Sequence, residues 1–172
     1  MKLIIFNGSS CSGKSTIIKN IMLEKEHYFH LHHDSIKWSF SKYKSEIFYN
    51  DVQKVLMAMA DSVFKMKYNV ILDCAFYESS RQEFIDLAKK YDYEILEINL
   101  EADYEVLLSR FHVRVKSALA VPEKDRRISN LSEVRFKELF DLFNKEKNPQ
   151  ATTYRTDKQS IEEISESIMK IL

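Results

Sequence analysis

Glycine is nearly absent from this chain. Its 172 residues hold two, Gly8 and Gly13, and both fall within one stretch of six. Average usage would supply roughly a dozen. Cysteine is as rare: Cys11 and Cys74 stand far apart, with no metal-ligand spacing. That argues against a zinc framework or a disulfide scaffold and reads as two reduced thiols. Excess charge of one sign is missing too, since 26 Lys and Arg balance 26 Asp and Glu. A whole-surface attraction to nucleic acid or membrane is thereby excluded, and only local basic patches remain. Long apolar runs are also lacking. The start, MKLIIFNG, is too short for a signal-peptide core, and no other stretch approaches the roughly 20 apolar residues that span a bilayer. No repeat, low-complexity tract or linker interrupts the chain. The expectation is one domain over residues 1–172, cytoplasmic and without a membrane partner.

What is present is an alternation of strand and helix patterns. KLIIFN (2–7), YFHLHH (28–33), NVILDC (69–74), YEILEINL (93–100) and ATTYRT (151–156) read as strands. Between them run helical stripes: Ile17, Ile18 and Ile21, then Val52, Leu56, Met59 and Val63, then Phe84, Leu87 and Ala88. Further helices are expected over 103–114, around Leu131–Phe143 and after Ser160. Ser80 with Glu83, and Ser160 with Glu163, have the spacing of capping boxes. The pattern predicts an α/β fold, a five-stranded parallel sheet with helices on both faces. Such sheets bind ligands at the carboxyl ends of their strands.

Both glycines follow the first of those strands. Gly8, four residues, then Gly13-Lys14-Ser15 satisfies the Walker A pattern in its proper context, strand before and helix after. Backbone N–H groups must close around phosphate oxygens, and a Cβ at the key turns would obstruct them. Gly8, Ser9, Ser10, Cys11, Ser12, Gly13, Lys14, Ser15 and Thr16 are the expected nucleotide-binding residues. Lys14 reaches the β- and γ-phosphates in this reading, and Ser15 ligates Mg²⁺. ATP and Mg²⁺ are the expected cofactors of this P-loop NTPase fold.

The shortage of glycine then narrows the class. A GTPase switch needs Asp-x-x-Gly, an ABC-type signature needs glycines of its own, and none exists outside the loop. In ILDCAF, Cys74 follows Asp73 where motor ATPases usually carry a water-activating Glu. Transfer to a bound hydroxyl is therefore expected over hydrolysis. A carboxylate placed after a strand can take the proton of that hydroxyl, and Asp34 is so placed; it could equally cap the next helix. Asp73 is read as orienting the acceptor, holding Mg²⁺ through water, or simply ending its strand.

These segments together resemble the small P-loop kinases, and the chain is similar to both the polynucleotide 5′-kinases and the chloramphenicol phosphotransferases. IIFNGSSCSGKST resembles the latter, with Asn before the first glycine. HHDSIK (32–37) resembles the polynucleotide-kinase element whose aspartate is the general base, with Lys37 where that family has an arginine for the acceptor-side phosphate. VLLSRFHVRVKSALAVP (106–122) resembles the lid, expected over about 112–130. The resemblance implies Lys14, Asp34 and Arg114 as catalytic residues, Arg110 near the adenine, and Lys37, Trp38 and Asp73 toward the acceptor.

Other residues get plainer readings. Arg126 and Arg127 read as a solvated charge run. His30, His32 and His33 read as packed or hydrogen-bonded strand residues, because no third metal ligand is evident. KWSFSKYK (37–44) interleaves lysines with aromatics, as a nucleic-acid end would need, or simply begins an amphipathic helix. The acceptor stays open between a small hydroxyl compound and a nucleic-acid 5′-OH. A regulatory or hydrolytic module is the reading outside the kinase class.

Overall fold

The computed structural model describes residues 1–73, 78–120 and 131–172. Its elements are β1 (Lys2–Gly8), α1 (Lys14–Glu24), β2 (Tyr28–His32), α2 (His33–Lys37), α3 (Ser45–Lys65), β3 (Asn69–Asp73), α4 (Glu78–Lys89), β4 (Glu94–Glu101), α5 (Tyr104–Ala120), α6 (Glu133–Glu146), β5 (Thr152–Arg155) and α7 (Ile161–Met169). The strands pair in parallel in the order β2-β3-β1-β4-β5, so the fold is the expected five-stranded parallel α/β sheet.

The central strands β1 and β3 are apolar on both sides because helices cover both. Leu3, Ile5, Val70 and Leu72 pack against Val52, Leu56 and Phe64 of α3 and Phe84 of α4. Ile4, Phe6, Ile71, Ile98 and Leu100 pack the other way, onto Ile17, Ile18 and Ile21 of α1 and Ile164 and Ile168 of α7. A third cluster, with Leu107, Phe111 and Phe136, joins α5 to α6. Each fully buried Leu, Ile or Phe contributes about 1.5–3 kcal/mol. β1 lies in the middle of the sheet, so the loop after Gly8 starts from the strand most surrounded by core.

Capping decides where some helices begin. Ser160 Oγ accepts from the Glu163 N–H at 3.1 Å, and the Ser160 N–H donates to the Glu163 carboxylate at 2.8 Å, completing the expected box. The other expected box is corrected: α4 is already helical at Glu78, so Ser80 and Glu83 lie inside it. There Ser80 Oγ meets the Tyr49 hydroxyl at 3.1 Å and Glu83 accepts from Gln53 at 3.2 Å. Both side chains serve the contact with α3.

Two boundaries move as well. His33 opens α2 where the sequence pattern ends β2 with it. α5 continues to Ala120, past residue 114 and into the stretch expected as a lid. Residues 121–130, with Arg126 and Arg127, and residues 74–77, with Cys74, lie outside the described residues. Among the described residues, no helix is long and apolar enough to cross a membrane.

Candidate active site

The glycine loop joins β1 to α1. Gly13 has φ +88°, in the left-handed region where an L side chain is strained. A Cβ there would also lie 2.7 Å from Ile161 Cδ1. At Gly8 a Cβ would lie 2.5 Å from Ser12 Oγ and 3.1 Å from the Leu100 carbonyl. Each glycine thus answers a steric demand. Cys11 fills a third special position of the loop at φ +66° without the help of glycine.

The loop gathers donors. Thr16 and Ile17 N–H groups turn back to the Gly13 carbonyl at 3.0 and 3.1 Å, and N–H groups before them lie ahead of the helical ladder. The positive end of the α1 dipole points into the same space. Ser9 and Ser12 are buried, and their hydroxyls meet no partner among the described residues. Buried donors without partners around a cradle that a Cβ would fill suit a phosphate group. Ser15, exposed in the first turn of α1, supplies a hard oxygen beside it.

Charge gathers where β2 and β3 end. Lys14 Nζ meets Asp73 Oδ1 at 2.5 Å, and Asp73 is 3% exposed. His30 and His32 Nε2 each lie 3.7 Å from Asp73 Oδ2. Burial alone would raise the Asp73 carboxyl; Lys14 and the two imidazoles outweigh it and hold it well below the usual carboxylate range. Burial pushes the His32 imidazole down, against the pull of Asp73 and Asp34. His32 therefore interacts with Asp73, Asp34 and Lys14 together, and the two carboxylates share one electrostatic neighbourhood.

Asp34 sits in the first turn of α2. His33 Nδ1 lies 3.6 Å and Lys37 Nζ 4.0 Å from its Oδ1. Burial works to raise Asp34, but His33, Lys37 and His32 bring it down to about 2. Behind it, Lys37 Nζ lies 4.9 Å from the Trp38 ring and 5.2 Å from the Tyr43 ring. Trp38 is 50% exposed, so this cation-topped aromatic surface is open to solvent.

On α5, Arg110 donates to Thr156 Oγ1 at 2.9 Å, to the Thr156 carbonyl at 2.6 Å and, weakly, to the Cys11 carbonyl at 3.4 Å. It ties the loop to the end of β5. Arg114 follows one turn further on, exposed. The structure thus pairs Lys14 with Asp73, sets Asp34 with His33 and Lys37 after the neighbouring strand, and brings Arg110 to the loop.

Sequence reasoning missed Thr156, whose only signal was its place at the end of the expected strand ATTYRT; β5 itself ends at Arg155. It also missed what His30 and His32 face. Their two-residue spacing was readable, but their partner on β3 appears only once β2 and β3 are known to be neighbours.

A central parallel strand running into this loop, with Lys14 at the head of the following helix, defines a P-loop fold of the small-kinase type. A family model described as an AAA domain matches residues 3–139, and the chain belongs to that family. Solved structures with this fold include a sugar kinase from Janibacter sp., 13% identical, with a TM-score of 0.67, covering 99% of this chain and 93% of that one. The tunicamycin resistance protein of Deinococcus radiodurans is 14% identical at a TM-score of 0.63, covering 98% and 94%. A chain of the Pnkp1/Rnl/Hen1 RNA repair complex is 19% identical at a TM-score of 0.67; the match covers 84% of this chain but 44% of that one.

Proposed function

We propose that this protein is an ATP- and Mg²⁺-dependent phosphotransferase that moves the γ-phosphoryl group of ATP to a hydroxyl. The observation that carries this reading is the Lys14–Asp73 pair beside the glycine loop, with Asp34 in the first turn of the helix that follows the neighbouring strand β2. The loop from Gly8 to Thr16 binds the phosphates, and Arg110 lies on the nucleotide side. Asp34, ionised at neutral pH, accepts the proton of the attacking hydroxyl. A carboxylate held near 2 takes that proton late, which suits a loose phosphoryl-transfer transition state. Lys14, joined by Arg114 from α5, offsets charge on the equatorial oxygens. Ser15 would hold Mg²⁺, which would supply positive charge against the phosphates. Asp73 orients the acceptor once Lys14 has left it. The reduced thiol of Cys11 fits a cytoplasmic setting.

The acceptor is a hydroxyl compound of small to moderate size. A second reading, a nucleic-acid 5′-hydroxyl, is favoured by one feature: Lys37 over the exposed Trp38 and Tyr43 rings offers a stacking surface beside a cation. Incubation with γ-labelled ATP and a panel of 5′-OH oligonucleotides, nucleosides and small alcohols decides between them. Label should reach one acceptor class, and Asp34→Asn should abolish transfer while ATP still binds. ATP hydrolysis that no acceptor alters would favour a hydrolytic or regulatory module. Transfer that survives Asp34→Asn removes Asp34 from the base role.

A further inference from the structure

Lys14 has a partner within the protein. Its ammonium meets Asp73 Oδ1 at 2.5 Å, and Asp73 is 3% exposed. If Lys14 turns to a phosphate, it leaves a buried carboxylate behind, and a stranded buried charge is strongly unfavourable. A replacement partner already stands on the other side. His30 and His32 alternate along β2, and His32 is in register with Asp73 itself. Their rings stack with centroids 5.2 Å apart and planes 19° from parallel. Both Nε2 atoms lie 3.7 Å from Oδ2, the oxygen that Lys14 does not use.

The tautomer of His32 turns on which way its other nitrogen shares a proton. Its Nδ1 lies 2.9 Å from Ser35 Oγ. With the hydroxyl donating to Nδ1, the ring proton sits on Nε2 and faces Asp73. His30 Nε2 and Asp73 Oδ2 are buried and, at 3.7 Å, short of a hydrogen bond. A shift of under about 1 Å would complete it.

We propose that the stacked His30–His32 pair is the standby partner of Asp73. It holds Oδ2 when Lys14 crosses to the nucleotide, and so lowers the free energy needed to release Lys14. The inference rests on the reading above only in taking Lys14 to bind phosphate. His30 and His32 act through Asp73, so they are positioning residues.

The test is the affinity of the whole chain for a fluorescent ATP analogue with Mg²⁺. The double substitution His30→Phe/His32→Phe keeps two flat stacked rings and removes their N–H donors. It should weaken binding about tenfold, the loss of one good charge-assisted hydrogen bond. In an Asp73→Asn background the same two changes should shift affinity less than about twofold, because no buried charge is left to hold. His30→Gln/His32→Gln, which restores amide donors, should recover most of the loss. A purely structural role would lower affinity in both backgrounds alike and gain nothing from Gln.

Ring ¹⁵N shifts of the unmutated protein supply a measurement independent of variant folding. Both imidazoles should carry the proton on Nε2, and those signals should move when the ATP analogue binds. Unchanged affinity in the Phe variant, an equal loss in the Asp73→Asn background, or Nδ1-protonated rings each overturn the proposal. Wild-type protein without nucleotide affinity refutes the phosphotransferase reading and this proposal together. Normal wild-type affinity with insensitive histidine variants refutes this proposal alone.

Discussion

Lys14→Met should weaken the fold itself as well as transfer. Met keeps the length of the side chain and removes the ammonium. That ammonium is the nearest partner of Asp73, whose side chain is 2% exposed against 21% for Lys14. Breaking a buried pair typically costs about 3–5 kcal/mol. Here Lys14 is partly wet and two imidazoles remain, so about 2–3 kcal/mol is expected. For a chain of this size that lowers Tm by roughly 4–12 °C.

The pH dependence distinguishes this cause from lost packing. The folded carboxyl of Asp73 lies below its unfolded value of about 3.9, so its contribution is full above that value and is lost as pH falls through the folded one. Removing Lys14 raises the folded value and takes that contribution away. The stability gap between wild type and variant should be widest at neutral pH and should close in acid, once Asp73 is protonated in both. Urea midpoints from pH 7 down to pH 2 read the narrowing, which sets in below about pH 4 and is still incomplete at pH 2. Lys14→Met/Asp73→Asn should regain most of the stability and none of the transfer. A gap independent of pH, or a double variant as weak as the single, would refute the argument.

Gly13→Ala should cost about 1–2 kcal/mol for φ +88° alone, and the contact of its Cβ with Ile161 Cδ1 adds to that, so nucleotide titration and thermal melting should both show a loss. Arg81→Ala should destabilise by about 3 kcal/mol in urea, because the guanidinium, 5% exposed, lies 3.4 Å from the Glu97 carboxylate and donates to the Glu146 carbonyl at 2.8 Å. Glu97→Gln in the same chain should recover part of it. Asp34 titrates at about 2 when folded, below its unfolded value of about 3.9, so its contribution is complete above that value and is lost as pH falls toward 2. Asp34→Asn should therefore flatten the loss of stability between about pH 4 and 2, read by urea midpoints. Ser160→Ala removes the oxygen that accepts the Glu163 N–H and should lower stability by about 1 kcal/mol, with the fold otherwise intact by circular dichroism.

The loop was readable in the sequence because its demands are local. A left-handed turn at Gly13 and a close approach at Gly8 act on single residues, so they select residue type directly. The central strands were readable for a similar reason, since burial on both faces makes β1 and β3 apolar runs. Capping was readable only in part. Ser160–Glu163 and Ser80–Glu83 share one spacing, yet the second pair faces Tyr49 and Gln53 of α3, a contact that no local pattern contains. The cluster at Asp73 is further from the sequence still. It draws Lys14 from α1, His30 and His32 from β2 and Asp73 from β3, and only the pairing of β2 with β3 joins them. Alternating strand and helix fixes that a sheet forms, but not which strands are neighbours. The same difference governs how the two parts can be tested. A loop position answers to one backbone angle, so one substitution interrogates it. A residue of the cluster answers to a charge shared among four side chains, so only paired substitutions separate its role from that of its neighbours.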